Sequence, residues 1–158
     1  MMFESVELNN WQSYRGDKNK FEFSGPDSTR NSAIIIGRNG KGKSAFFESL
    51  RFLLYGGETI VVRESTTKPK RVKPKVAEKK SDKPLMCWEA WNSGERSFGV
   101  KANVRIEGKQ YTIERKYTST KKKPSEEDLK EEFYILEDYN KKKVAKPEDF
   151  VNNLLPEG

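Results

Sequence analysis

The 158-residue chain carries 31 Lys and Arg against 24 Asp and Glu, a formal charge of +7, with 34% hydrophobic and 35% charged residues. Its apolar stretches are too short or too interrupted to cross a bilayer, and no secretion signal follows Met1, so the expectation is a cytoplasmic protein with no membrane partner. One cysteine, Cys87, excludes an intrachain disulfide, and the absence of histidine removes the usual zinc ligand and general base.

Phe3 to Leu8 alternates apolar and polar residues, as a half-buried strand does, and Lys20 to Ser24 alternates again. The two are expected to pair antiparallel across the loop Asn9 to Gly16, with Gly25-Pro26-Asp27-Ser28 breaking the pattern. Ala33-Ile34-Ile35-Ile36 has no polar face and predicts a central strand buried on both sides. From Lys43 to Tyr55, Phe46, Phe47, Leu50, Leu53 and Leu54 recur at helical spacing, and Gly56-Gly57 stops the helix.

Between that strand and that helix lies Gly37-Arg38-Asn39-Gly40-Lys41-Gly42-Lys43-Ser44, a Walker A pattern in the setting its mechanism needs. Glycines let successive backbone N–H groups turn onto phosphate oxygens, and the helix start adds partial positive charge. Lys43 is the candidate catalytic residue, reaching the β- and γ-phosphates of ATP, and the Ser44 hydroxyl is the candidate ligand for Mg²⁺. The nucleotide-contacting set comprises Gly37, Arg38, Asn39, Gly40, Lys41, Gly42, Lys43, Ser44 and Ala45, with Gln12 and Arg15 from the first loop.

Arg63 to Lys83 holds nine Lys and Arg against three Asp and Glu, so nearly all the excess charge sits in one segment. Residues 65–84, rich in Lys and Pro, read as a flexible loop. Lys68, Lys70, Arg71, Lys73 and Lys75 are candidate contacts to DNA phosphates; a solvated linker is the alternative.

Structure resumes at Leu85 to Trp88, where Trp88 and Trp91 are read as local core in preference to base-stacking groups. Cys87 reads as a small buried hydrophobe. Phe98 to Ile106 and Gln110 to Arg115 form a hairpin turning at Glu107-Gly108-Lys109. Lys121 to Pro124 is a linker. Glu126, Glu127, Asp128, Glu131 and Glu132 are read with Lys130 as a solvated helix face. Phe133 to Leu136 is a strand, and Pro147 to Leu155 begins a short helix. Trp11 and Tyr14 could pack on adenine or simply on the core.

Leu8 to Gly16, Ile34 to Ser44 and Phe47 to Gly56 together resemble the N-terminal half of an SMC/SbcC/RecF-type ATPase head. Within that group the chain is most similar to the DndD ATPases of bacterial DNA phosphorothioation and to SMC-like ATPases of anti-phage defence. The resemblance implies an α/β P-loop NTPase of ABC-ATPase head type, with a central P-loop strand and helix joined to an antiparallel β-subdomain. Residues 1–158 would form one N-terminal lobe, completed by a C-terminal lobe of the same protein. The family pattern has a head–head homodimer, DNA as a partner and accessory subunits such as a nuclease. Gln12 stands where the family often has Arg, and Lys41 where Ser or Ala is usual. The Q-loop, signature motif and Walker B are missing, so slow hydrolysis by this chain alone is expected. A nucleotide-gated interaction module, without DNA-coupled turnover, is the alternative from a different class.

Overall fold

A computed structural model describes residues 1–23, 33–56, 61–62, 70–71, 85–120, 129–137 and 142–154. Strands β1 (Met2–Asn9), β2 (Asn19–Glu22), β5 (Ser97–Ile106), β6 (Lys109–Thr118), β7 (Lys130–Glu137) and β8 (Lys142–Lys143) form a six-stranded antiparallel sheet, ordered β2-β1-β5-β6-β7-β8. The helices are α1 (Lys43–Tyr55), α2 (Trp88–Asn92) and α3 (Pro147–Leu154), and a two-residue ladder pairs β3 (Val61–Val62) with β4 (Lys70–Arg71).

The sheet has one dry and one wet face because side chains alternate along every strand. Phe98, Val100, Ala102, Val104 and Ile106 of β5 are buried, and Ile113 and Tyr117 of β6 join them. On the other face, cross-strand pairs Glu7–Lys101 and Lys116–Glu132 stay in register and in water. There the Tyr134 hydroxyl also donates to Glu114, and burial together with that carboxylate pushes the phenol well above its ordinary value. The turn between β5 and β6 is Glu107-Gly108, both at positive φ, matching the twist of a tight hairpin. α1 lies against the dry face: Phe52 meets the rings of Trp11, Phe98 and Tyr117 at centroid distances of 4.6, 6.2 and 5.8 Å.

Two expectations fail. Ala33–Ile36 is not a buried central strand: it carries no ladder, and Ile34 and Ile36 are 87% and 90% exposed while Ile35 packs on the core. Strand propensity describes fit to a pleated surface, and among the described residues no strand offers one here. Glu131 and Glu132 lie on β7, not on a helix, because they pair with Tyr117 and Lys116 of β6. Of the 65–84 loop, only Lys70 and Arg71 are described, and they are strand residues held by β3. Lys68, Lys73, Lys75, the Gly25–Ser28 break, Gly57, Lys121–Pro124 and Glu126–Asp128 lie outside the described residues.

Candidate functional site

The helix α1 begins without the usual help. Gly42 occupies its N-cap position at φ 88°, no side chain caps the first turn, and no acidic residue sits there. The first backbone N–H groups of a helix have no partner inside it, and the macrodipole makes that end positive. Helix starts of this kind attract anions.

The loop before it is shaped by two left-handed glycines, Gly40 (φ 78°) and Gly42. Gly42 is also wedged: a Cβ there would come within 2.9 Å of both Ser13 Oγ and Tyr14 Oη. Lys43 folds back so that its ammonium donates to the carbonyl oxygens of Gly37 and, at 2.9 Å, Arg38. Lys43, Ser44 and the helix start line a cavity of about 600 Å³, completed by Gln12, Ser13, Asn39 and Trp88. Such a donor set fits a polyphosphate, and the Ser44 hydroxyl in the same wall fits a divalent cation bound to it.

The loop after β1 fastens this site to the sheet. Trp11 is fully buried and its indole N–H donates to the Ala45 carbonyl at 2.8 Å. Tyr14 donates its hydroxyl to the Gly42 carbonyl at 3.0 Å, and burial pushes its phenol above the ordinary value. Both aromatics thus position the loop instead of covering a base. Asn10 is a clasp: its side chain donates to Ser97 O at 3.1 Å and accepts from Gly16 N at 2.9 Å. Asn10 and Gln12 both hold φ near +46°, an unusual conformation that the surrounding hydrogen bonds hold in place.

The sequence reading is partly matched in space. Gln12, Asn39, Gly40, Gly42, Lys43, Ser44 and Ala45 line one cavity. Gly37 and Arg38 serve through carbonyls that hold Lys43, and Lys41 is exposed on the loop. Arg15 does not join them: its guanidinium lies 3.5 Å from Ser93 Oγ, at the far end of α2. Three participants were missed. Glu48, which accepts a hydrogen bond from Gln12 Nε2, was signalled by its place one helical turn after Ser44. Ser13 lines the cavity beside Gln12. Trp88, read as core, is 54% exposed and lines the cavity. Nothing local in the sequence announces that residue 88 returns to the loop at residue 12.

Residues 5–155 match the family described as AAA domain. The chain belongs to this family. It is found in SMC- and RecF-like ATPases, so a nucleotide-binding P-loop ATPase domain is the class of protein at hand, and nucleotide with Mg²⁺ is its usual chemistry. No curated protein matches the chain. Among the described residues no helix is long and apolar enough to cross a membrane.

Proposed function

We propose that the chain binds ATP with Mg²⁺ at the loop Gly37–Ser44 and serves as one lobe of an SMC-like, ABC-type ATPase head that acts on DNA. The observation that carries the nucleotide part is the uncapped start of α1, bent under Gly42, with Lys43 and Ser44 in the same cavity wall. Lys43 would exchange two loop carbonyls for phosphate oxygens, while the Ser44 hydroxyl would hold the metal. Bound Mg²⁺ would neutralise charge on the phosphates. The carboxylate that the described residues bring nearest is Glu48, which accepts a hydrogen bond from the cavity residue Gln12.

The exposed isoleucines support a second lobe. Ile34 and Ile36 lie just before the loop Gly37–Ser44 and are 87% and 90% exposed, a pair of large apolar groups that another segment would cover. A C-terminal lobe of the same protein is the occupant this reading assigns. Head–head dimerisation, a DndD-like role in defence, and a nuclease or other system subunits as partners follow from the resemblance in sequence, whereas DNA contacts through Lys68, Lys70, Arg71, Lys73 and Lys75 follow only from the concentration of positive charge there, for which a solvated linker is the alternative.

Titration with a fluorescent ATP analogue in Mg²⁺ tests the core of this. Lys43→Ala should weaken binding by about 1.5–3 kcal/mol, the worth of a charge-assisted contact. Equal affinity of the two proteins would sink the assignment. DNA stimulation of turnover in the complete head separates a DNA-acting ATPase from a nucleotide-gated interaction module, for which DNA would change nothing.

A further inference from the structure

The loop before α1 carries a chemically reactive pair of its own. Asparagine is among the labile residues, and Asn39 is followed by Gly40; no other asparagine of the chain precedes a glycine. Both residues are exposed. Gly40 holds φ at 78°, and a Cβ there would meet nothing within 4 Å, so the space beside it is open. The turn is closed by Lys41 N donating to Arg38 O at 3.3 Å, a bond that spans Asn39 and Gly40 and leaves the Gly40 nitrogen outside it. Other asparagines are placed differently. Asn10 donates to Ser97 O and accepts from Gly16 N, Asn19 donates to the carbonyls of Leu8, Arg15 and Gly16, and Asn103 accepts from Thr112. Their successors are Trp11, Lys20 and Val104, whose side chains hinder approach to the nitrogen that would have to react.

The chemistry is an intramolecular acyl transfer. The Gly40 nitrogen, having given its proton to hydroxide, attacks Cγ of Asn39. A new C–N bond forms, the bond to Nδ2 breaks, and ammonia leaves with a proton from water. The product is a cyclic succinimide. Water then adds to either of its carbonyl carbons and opens the ring. One opening gives aspartate, the other isoaspartate, in which the main chain runs through the former side chain. Nucleophile and carbonyl already share one residue pair, so the step is unimolecular. The cations of Arg38 and Lys41 on either side favour the nitrogen anion and the oxyanion that follows it.

We propose that Asn39-Gly40 is a site of spontaneous deamidation, that the carboxylate it creates disables the loop as an anion site, and that bound nucleotide suppresses the reaction. Asn39 lines the cavity with Lys43 and Ser44, so the new negative charge stands where phosphates would. Phosphates drawn onto the N–H groups of the loop would hold the turn in one geometry and keep it from closing the ring. The reaction needs only the loop; its consequence and its suppression rest on the nucleotide reading above.

The experiment incubates the whole chain at mildly alkaline pH, with and without ATP and Mg²⁺. Peptide mass mapping follows each asparagine, and calorimetry reads ATP binding. Without nucleotide, the peptide holding Asn39 should gain the mass of an amide-to-acid exchange at least about tenfold faster than those holding Asn10, Asn19 or Asn103. ATP at about ten times its Kd leaves about a tenth of the chains free, and the gain should slow about tenfold. The converted chains should bind ATP at least about tenfold more weakly, as should Asn39→Asp made directly. Asn39→Gln, whose longer side chain closes a larger and slower ring, should show neither the mass gain nor a loss of binding on ageing. An Asn39 peptide that converts no faster than the others overturns the proposal. So does a conversion that bound ATP fails to slow, or an Asn39→Asp chain that binds ATP like wild type. Failure of the fresh chain to bind ATP overturns the nucleotide reading, and with it the consequence and the suppression, while the mass map still decides the reaction.

Discussion

Arg115 Nε donates to the carbonyl oxygen of Leu53 across 3.1 Å, joining β6 to the last turn of α1. The final carbonyls of a helix lack partners within it, and α1 has no basic residue of its own in that turn. The sheet supplies the missing cation. Arg115 takes a core-facing place in β6, between Ile113 and Tyr117, with 2% of its surface exposed. It also pairs with Glu131 of β7 and Glu148 of α3, and lies 3.7 Å over the Phe133 ring. One buried guanidinium thus ties the far end of the P-loop helix to two other elements.

Arg115→Met should cost about 2–3 kcal/mol in chemical denaturation, because the Leu53 carbonyl and two carboxylates lose their donor while the latter partly rehydrate. Arg115→Lys should recover less than half, since an ammonium cannot serve three acceptors in the plane of a fork. Unchanged stability in both variants would show that the guanidinium is a passenger.

Gly42→Ala tests the site from the opposite end of the same helix. The added Cβ meets Ser13 Oγ and Tyr14 Oη at 2.9 Å, and φ of 88° is strained for any L side chain. The expected result is a loss of about 1–2 kcal/mol in stability together with at least tenfold weaker ATP binding. Full binding with normal stability would mean that the loop is looser than its packing implies.

Trp11→Phe keeps an aromatic ring against Phe52 and Phe98 but leaves the Ala45 carbonyl without its donor. We expect a loss of about 1–2 kcal/mol by thermal melting, with the fold retained. Folded protein of unaltered melting temperature would remove this bond from the list of things that hold the first loop to α1.

Ile34→Lys combined with Ile36→Lys should leave the stability of this chain within about 0.5 kcal/mol, because both side chains already face water. In the proposed two-lobed head, the same pair should abolish recovery of the C-terminal lobe on co-expression. Recovery undiminished would end the reading of this segment as the docking surface.

Local patterns told most of this fold. The thirteen residues of α1 were bounded by their apolar spacing and by Gly56, and the β5–β6 hairpin by its alternation and by Gly108. What the sequence withheld depends on partners distant along the chain. Ile34 to Ile36 has strand-like residues but no ladder, and periodicity cannot report that. The charges of Glu131 and Glu132 fit a helix face as well as a strand, and only their register with β6 decides between the two. The P-loop end of the site was legible as a motif, whereas Glu48 meets Gln12, and Trp88 joins the same cavity wall, only through the tertiary fold. Arg115 gave a faint signal, a charge in the inward row of an alternating strand.

The register of β1 bears on when the site comes into being. Its partner is β5, Val6 opposite Ala102, while β5, β6 and β7 follow one another and pair as neighbours. Short-range pairings close small loops and form early; joining Val6 to Ala102 requires a far larger loss of chain entropy. The meander should therefore fold first and β1 dock late, bringing Trp11, Gln12 and Tyr14 to α1 as the closing step. The reverse process should open the site before the meander. In native-state hydrogen exchange, the amides of Gln12, Tyr14 and Cys87 should exchange at least about tenfold faster than those of Ile113 and Ile135. Equal protection at the two places would mean that cavity and meander open as one cooperative unit.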